Sequence, residues 1–529
     1  MTSNAMRTTL RFTLTATFAA VLAGCTLIPD YDRPAAPIDA AYPTGPAYHS
    51  ASQAAVPPGG VAAADVGWRE FFGDPLLQEL IALALQNNRD LRVAALNVEA
   101  ARAQYRIQRA DLLPTVGVAA QESAQRTPAD LSASGRATTS HTYQVGASVA
   151  SWELDLFGRI RSLNQQALQT YLAQDETRLA TQLSLVSEVA TAYMTLRSDQ
   201  ELRRLTQDTL KSQRDSYELT KQSYDNDIAT ALDLSQAEVS VRTAERNLAQ
   251  YERQVAQDMN ALVLLLGDPL PQAIRDRLQA DAPLNDSLMP TALPAGLPSE
   301  LLERRPDIRA AEHQLLAANA NIGAARAAFF PTITLTGGAG TASSSLGRLF
   351  DGGQGAWSFT PQITLPIFAG GALEANLDLA KVQKRIEIAN YERAIQSAFR
   401  DVADALAGRG TLDDQIRAQQ LLVAANQRAY DLSQERFRQG VDSYLSVLDS
   451  QRSLYESQQV LVQTRLARLT NLVDLYKALG GGWTEHTVQA QQGQGAPTGA
   501  PAQPAASPAA SRQASPAAAA SAAPQPPSL

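Results

Sequence analysis

The segment Phe-Arg-Gln-Gly-Val-Asp-Ser-Tyr-Leu-Ser-Val-Leu-Asp-Ser-Gln, residues 437–451, decides the fold because it ends one long helical pattern and starts another. The pattern breaks at Gly440 and restarts at Asp442 as a helix that continues to Gly480. A weaker copy, Tyr-Asp-Asn-Asp-Ile-Ala-Thr-Ala-Leu-Asp-Leu-Ser-Gln, occupies residues 224–236 and begins at the equivalent of Phe437. Each segment predicts a pair of long helices joined by a short turn.

The sequence upstream of these segments is duplicated as well. Arg-Ala-Asp-Leu-Leu-Pro-Thr-Val at residues 109–116 resembles Arg-Ala-Ala-Phe-Phe-Pro-Thr-Ile at residues 326–333, with Pro114 in the position of Pro331. Two repeats are too few for a solenoid. We therefore expect one architecture built twice, in which each half runs helix, strand, strand, long helix, turn and long helix.

The hydrophobic period changes from helical to two within each half, which predicts strand pairs at residues 115–151 and 331–366. One face of these strands is apolar and the other carries mostly hydroxyl, amide or small side chains. A sheet on a helical core would also alternate, but strands of about ten residues with aromatic residues at one end are typical of transmembrane β-strands. We interpret Trp357 and Phe359 as membrane-interface residues, with a position in a sheet core as the alternative.

The number of strands bears on assembly. Four strands cannot close a barrel, and open strand edges do not occur in lipid, so we expect three copies of the chain to share one barrel of about twelve strands. The helical hairpins at residues 160–266 and 371–479 are longer than a compact domain requires, because about sixty residues of helix span about 90 Å. The fold class is mainly α with a small β part.

The N-terminus reads as a secretory signal. Residues 1–24 start positively charged, continue with a short apolar run and lead into Leu-Ala-Gly-Cys25, which looks like a bacterial lipobox. This predicts cleavage before Cys25 and its acylation, so that lipid anchors the chain to a membrane. Thr26 rather than Asp follows the cysteine, which resembles the outer-membrane address of Gram-negative lipoproteins. The alternative is a signal peptide with a chance cysteine at its end. The pattern leaves open whether translation starts at Met1 or Met6.

Composition excludes several functions. The net charge is −8 and the pI is about 5.3, without a basic block, so nucleic-acid binding is not expected. Four scattered histidines and one cysteine predict no metal site. The sequence contains no Gly-rich phosphate loop after a strand and no Gly-x-Ser-x-Gly motif, so we expect neither a cofactor nor an enzyme.

The remaining segments connect these parts. The predicted organisation is a signal peptide at 1–24, an extended lipid-anchored segment at 25–66, a first repeat at 67–267, a linker at 268–298, a second repeat at 299–485 and a disordered Ala/Pro-rich tail at 486–529.

With these features in place, the sequence resembles the TolC-type outer-membrane factors, in the lipoprotein branch that serves tripartite drug-efflux pumps. The resemblance covers about residues 22–485. It is carried by Leu-Ala-Gly-Cys25, Trp68-Arg-Glu-Phe-Phe-Gly-Asp-Pro-Leu-Leu, Trp152-Glu-Leu-Asp-Leu-Phe-Gly, Glu303-Arg-Arg-Pro-Asp-Ile-Arg, Leu365-Pro-Ile-Phe, Arg438-Gln-Gly-Val-Asp-Ser-Tyr-Leu-Ser-Val-Leu-Asp-Ser-Gln-Arg and Leu475-Tyr-Lys-Ala-Leu-Gly-Gly-Gly-Trp.

This resemblance implies a homotrimer. Its twelve-stranded β-barrel would lie in the outer membrane, continuous with a twelve-helix α-barrel in the periplasm and surrounded by an equatorial belt of short helices. The implied partners are outer-membrane lipid, a periplasmic adaptor (membrane fusion) protein and an inner-membrane RND transporter. The chain would be the passive exit duct for small molecules. The Ala/Pro-rich tail exceeds the family pattern.

The helical turns carry the candidate site. Leu445, Asp449 and Arg452 are spaced by four and three, so they share one helix face. The resemblance places the periplasmic aperture at these positions, where three copies would form an apolar constriction and a charged ring. The alternative is an Asp-Arg pair on a solvated surface.

The turn residues allow two interpretations. Asp225 and Asp227 in the first turn, and Gly440 and Asp442 in the second, either contact the adaptor or simply favour turns. The two turns are not equivalent, because Asp227 stands where the second copy has Gly440.

Two other functions remain open from the residues. A type I protein-secretion channel would share the helices and the barrel, although the lipobox favours efflux. A periplasmic coiled-coil adaptor or scaffold is the alternative of another class, but such proteins usually carry one hairpin rather than two hairpins with paired membrane strands.

Overall fold

The computed structural model describes most of the 529-residue chain, namely residues 26–48, 63–280, 282–284, 289, 293 and 298–487. The predicted signal peptide, Cys25, part of the linker and nearly all of the predicted tail lie outside these residues. Within the described part, every helix is either too short or too polar to cross a bilayer.

The described helices range from 4 to 67 residues in length. The helices are α1 (Trp68–Phe71), α2 (Pro75–Asn87), α3 (Arg89–Ala110), α4 (Arg159–Asp225), α5 (Ala231–Leu266), α6 (Gln272–Gln279), α7 (Leu301–Arg304), α8 (Pro306–Ala327), α9 (Ala372–Arg438) and α10 (Tyr444–Ala478). The strands are β1 (Val116–Thr127), β2 (Thr138–Glu153), β3 (Thr332–Ser343) and β4 (Gly355–Thr364).

The predicted duplication is visible in the element boundaries. Helices α4 and α9 each contain 67 residues, and their first and last residues have the same spacing along the chain as Tyr224 and Phe437 in the two turns. Helices α3 and α8 each contain 22 residues, and both of their ends have the spacing of Pro114 and Pro331. At about 1.5 Å per residue, α4 and α9 are each about 100 Å long. The helix-strand-strand-helix-helix order therefore occurs twice.

Apolar residues at helical spacing explain why the long helices pack side by side. Tyr391, Ile395, Ala398 and Val402 form a stripe on α9, and all four are at most 1% exposed. In the half of the molecule that contains the hairpin turns, α4 packs against α5 and α10, and α10 packs against α9. The order across this layer is therefore α5, α4, α10 and α9. In the half nearer the strands, α8 packs against both α4 and α9, and α3 packs against α4.

The four strands form one antiparallel sheet in sequence order. Its register brings Ala147, Ala339 and Trp357 side by side on one face. A bulge between Val149 and Trp152 adds one residue to β2, so that Trp152 lies opposite Leu335. Both edges, β1 and β4, are unpaired among the described residues, as expected if further copies complete the sheet.

Stacked aromatic residues pack the short helix α1 against the long helix α10. The rings of Phe71 and Tyr476 stack with centroids 3.9 Å apart, and both residues are 0% exposed. A Cβ on Gly481 would lie 2.2 Å from the Tyr476 ring, so the Leu-Gly-Gly-Gly motif provides the space that this stack needs. The buried Arg197 guanidinium donates to the carbonyl oxygens of Leu278 and Ala280 at 3.2 and 2.9 Å, which fixes the end of α6.

The described N-terminal residues 26–48, here called the N-terminal strap, are mostly without regular structure, and residues 27–33 lie along α8. Arg33 Nε and Nη2 donate to Glu312 at 2.7 and 2.6 Å, and the Tyr31 hydroxyl donates to the same carboxylate at 3.0 Å. Further along the strap, the Tyr42 ring stacks on Phe399 of α9. The strap thus connects α8 with α9.

Candidate aperture at the hairpin turns

The first turn joins α4 to α5. Helix α4 ends at Asp225, and Asp227 takes the left-handed conformation with φ of 59°. The Ile228 amide then donates to the carbonyl oxygen of Ser223 at 2.8 Å, which closes the turn. Helix α5 begins with a capping box, because Thr230 and Asp233 exchange side-chain and backbone hydrogen bonds. These bonds lower the pKa of the Asp233 carboxyl.

The second turn joins α9 to α10. Gly440 takes the left-handed conformation with φ of 72°. Arg436 Nε and Nη2 donate to the Asp442 carboxylate at 2.5 and 3.0 Å, so one guanidinium bridges the end of α9 and the start of α10. This hydrogen bonding lowers the pKa of the Asp442 carboxyl. Of the four turn residues singled out from the sequence, Asp442 therefore has an ion pair within the chain.

The three predicted aperture residues lie together on the face of the first turns of α10 that is exposed to solvent in the single chain. Leu445 is 45% exposed, although it is apolar. Asp449 Oδ1 lies 3.6 Å from Arg452 Nη1, and both side chains are more than half exposed. The opposite face of α10 is buried, with Val447 and Leu448 packed near Ala237 of α5. The aperture role of the exposed face remains a prediction.

Side-chain hydrogen bonds join the two hairpins above the turns. The hydroxyls of Thr206 on α4 and Tyr455 on α10 are 2.7 Å apart. Gln451 Nε2 donates to the Ser212 hydroxyl at 3.1 Å, one turn closer to the tips. These residues were not predicted from the sequence. The available signal was the presence of Thr and Gln at positions that the helical spacing predicts to be buried, as Thr206 and Gln451 are.

The sheet at the other end of the molecule has an apolar face. In the observed register this face carries Val118, Val145, Trp357, Phe359 and Ile363, whereas the opposite face is lined mostly by glycine, alanine, serine, threonine and glutamine. Trp357 is 81% exposed and Phe359 is 62% exposed in the single chain, so neither side chain is buried in the core of the chain. Their position at a membrane interface remains a prediction.

The described residues contain no group of three or more His, Cys, Asp or Glu side chains that could hold a metal ion.

Comparison with known proteins identifies the family. Residues 80–268 and 297–481 match the family described as outer membrane efflux protein, which is more than half of the chain. The chain belongs to the outer membrane efflux protein family. It is similar to the probable efflux pump outer membrane protein TtgC of Pseudomonas putida, with 54% identity over 90% of this chain and 96% of the relative. It is also similar to the outer membrane protein OprJ of Pseudomonas aeruginosa, with 46% identity over 88% of this chain and 95% of the relative.

Solved structures of this family have the same fold. The outer membrane efflux protein described here is similar to a Pseudomonas aeruginosa membrane protein, with a TM-score of 0.80 and 44% identity over 86% of this chain and 100% of the other. It is similar to the open state of the Neisseria gonorrhoeae MtrE outer membrane channel, with a TM-score of 0.77 and 42% identity over 88% of this chain and 100% of the other. These findings confirm the predicted fold class and the predicted location in the outer membrane.

Proposed function

We propose that this outer membrane efflux protein is the passive exit duct of a tripartite pump driven by an inner-membrane RND transporter, which it reaches through a periplasmic adaptor protein. One observation carries the proposal. A sheet with one apolar face continues into two helical hairpins about 100 Å long, in a chain 54% identical to an efflux pump outer membrane protein. Relatives are named for antibiotic and toluene efflux. We propose small molecules of the same kind as cargo.

The duplication supports assembly as a homotrimer. Ala173 on α4 and Ala324 on α8, where the two repeats meet, are 1% and 7% exposed. Their equivalents, Ile386 on α9 and Ile107 on α3, are 47% and 61% exposed. Large apolar residues thus stand exposed where the internal repeat buries small ones. We propose that α9 of one copy covers α3 of the next in the way that α4 covers α8, and that three copies complete a barrel of about twelve strands.

The N-terminal strap supports a lipid anchor at Cys25. Arg326 Nη1 donates to the carbonyl oxygen of Leu27 at 3.2 Å. Arg326 is in the last turn of α8, shortly before β3 begins at Thr332. The start of the strap, next to Cys25, therefore lies at the junction between helix and strand, where the membrane-embedded sheet would begin. Acyl chains on Cys25 would reach the adjoining leaflet without unfolding the strap.

The exposed face of α10 supports the aperture at Leu445, Asp449 and Arg452. In a trimer these side chains would be repeated around one axis near the periplasmic tips. Three leucines would narrow the opening, and three aspartates would repel one another unless the adjacent arginines compensate their charge. We also propose that the turns containing Asp225, Asp227, Gly440 and Asp442 contact the adaptor, because they form the ends of the hairpins farthest from the sheet.

The decisive experiment deletes the gene and complements it with the full chain. Loss of the gene should increase susceptibility to antibiotics and organic solvents, and the wild-type chain should restore export. A parallel assay of secreted proteins addresses the type I alternative. Unchanged drug susceptibility together with loss of protein export would overturn the efflux proposal. In the same strain, Cys25→Ser should abolish labelling of the chain by radioactive palmitate while signal cleavage is assayed separately.

A further inference from the structure

The N-terminal strap uses three positions on one side of α8. Arg326 donates to the Leu27 carbonyl, and the Asn319 amide donates to the strap backbone further down the helix at 2.8 Å. Between them lies Gly323, where a Cβ would stand 2.6 Å from the Ile28 side chain. Helix α8 therefore carries a groove that fits an extended chain, and this groove depends on the absence of a side chain at position 323.

Helix α3 presents the equivalent positions in the first repeat, and all three are arginines. Arg102 corresponds to Asn319, Arg106 to Gly323 and Arg109 to Arg326. A long side chain at position 106 fills the groove, so α3 cannot receive an extended strap as α8 does. The first repeat therefore has a stripe of positive charge where the second has a chain-binding groove.

These arginines form one exposed stripe. They are spaced by four and three, so they lie on one side of α3 and span about 10 Å along its axis. All three residues are exposed, and none has an ion pair or a side-chain hydrogen bond within the described part of the chain. Among nearby acids, Asp111 accepts from Gln108 at 2.9 Å, and Glu99 lies one turn below Arg102.

The strap fixes the direction in which this stripe points. The strap follows the proposed lipid-bearing Cys25, so it must lie on the outside of the tube, where acyl chains can enter the membrane. The matching side of α3 therefore also faces outward. Arg109 is at the level of Arg326, which contacts the strap backbone at Leu27, close to Cys25. The stripe thus starts at the height of the phospholipid headgroups and extends below it.

We propose that Arg102, Arg106 and Arg109 bind the phosphate groups of anionic phospholipids in the periplasmic leaflet, as a second attachment of the trimer to the membrane. This inference rests on the proposed outer-membrane orientation. Guanidinium groups bind phosphate oxygens in pairs of hydrogen bonds, and long arginine side chains place their charge in the headgroup layer while their stems stay near apolar surface. In each copy an adjoining apolar side chain is Leu113, which is 70% exposed.

The test measures the affinity of the full-length purified trimer for phosphatidylglycerol by native mass spectrometry. The variant is Arg102→Gln/Arg106→Gln/Arg109→Gln, and the control is Arg89→Gln/Arg92→Gln at the other end of the same helix. An arginine near an anionic surface contributes roughly a fivefold gain in affinity, so the triple variant should lose roughly 100-fold while the control stays within about twofold of wild type. Phosphatidylcholine should bind weakly to all three proteins.

Two further measurements distinguish a phospholipid headgroup from free phosphate as the ligand. Inorganic phosphate in excess should displace little phosphatidylglycerol from the wild type, and higher ionic strength should weaken phosphatidylglycerol binding. Equal affinity of the triple variant and the wild type for phosphatidylglycerol would overturn the inference, as would full displacement by inorganic phosphate. Single-channel conductance of the same samples tests the exit-duct proposal separately from the lipid-binding proposal. A conducting trimer without lipid selectivity contradicts only the lipid-binding proposal.

Discussion

Asp227 and Gly440 occupy the same position in the two hairpin turns, one in each repeat, and both have the left-handed backbone conformation, with φ of 59° and 72°. The left-handed region costs an ordinary L-residue about 1 kcal/mol, whereas glycine adopts it freely. The two tips are therefore built on the same backbone, but only the first one contains a strained residue. The second tip is closed by the Arg436–Asp442 ion pair instead of a capping box.

This relationship predicts different effects of substitution at the two tips. Gly440→Ala should destabilise the second turn by about 1 kcal/mol, because it introduces the strain that glycine avoids. Local opening would then expose Arg438 about fivefold more often, which is measurable as a faster tryptic cleavage at this residue. Asp227→Gly is the matched control at the first tip, where cleavage after Lys221 should not accelerate. Equal cleavage rates for Gly440→Ala and wild type would contradict the strain argument.

The aperture proposal predicts larger conductance when the constriction is reduced. Leu445→Ala, Asp449→Asn and Arg452→Gln should each raise single-channel conductance in planar bilayers, because each removes bulk or charge from the proposed opening. Leu232→Ala provides the control, since Leu232 is the equivalent of Leu445 in the first repeat and is 65% exposed. Unchanged conductance in all three aperture variants would remove the assignment. An equal increase in Leu232→Ala would show that the effect is not specific to α10.

Local sequence signals were sufficient to predict the helices and strands and their duplication. Helical spacing and turn residues placed both hairpins within one or two residues of the observed boundaries, because long helices are specified by periodic patterns. The bulge before Trp152 was not predicted, since it depends on pairing with β3. The Arg33–Glu312 ion pair joins residues 279 positions apart. The Thr206–Tyr455 hydrogen bond joins residues 249 positions apart. Contacts of this kind follow from how helices pack, which one sequence does not reveal.

A pair of carboxyl groups makes the stability of the long hairpin depend on pH. Asp199 on α4 and Asp258 on α5 interact through their carboxyl groups, and the pKa of each is raised, chiefly by burial. Burial, followed by the charge of Asp199, raises the pKa of Asp258 from 3.8 to about 7. The folded protein then binds more protons than the unfolded chain between about pH 4 and pH 7, so stability should fall as the pH rises through this window.

The second repeat supplies the matched variant for this pair. It carries Leu412 and Asn471 at the positions of Asp199 and Asp258. Asp258→Asn should therefore remove most of the pH dependence, and its Tm should exceed that of the wild type at pH 8 but not at pH 5. Asp208→Asn, at an exposed position on α4, is the control and should follow the wild-type curve. Parallel Tm curves for Asp258→Asn and wild type from pH 5 to 8 would contradict the prediction.

The trimer proposal predicts that the exposed isoleucines at the repeat boundary hold neighbouring copies together. Ile386→Asp on α9 and Ile107→Asp on α3 should each abolish the heat-modifiable trimer on electrophoresis, because a carboxylate would be buried without a partner. Leu131→Asp is the control, since Leu131 is 75% exposed and lies in the loop between β1 and β2, at the end of the sheet away from α3. Ile386→Ala and Ile107→Ala should leave a trimer, because alanine occupies both equivalent positions in the internal contact between α4 and α8. This trimer should dissociate at a lower temperature than the wild-type trimer. A stable trimer in both aspartate variants would place the contact between copies elsewhere.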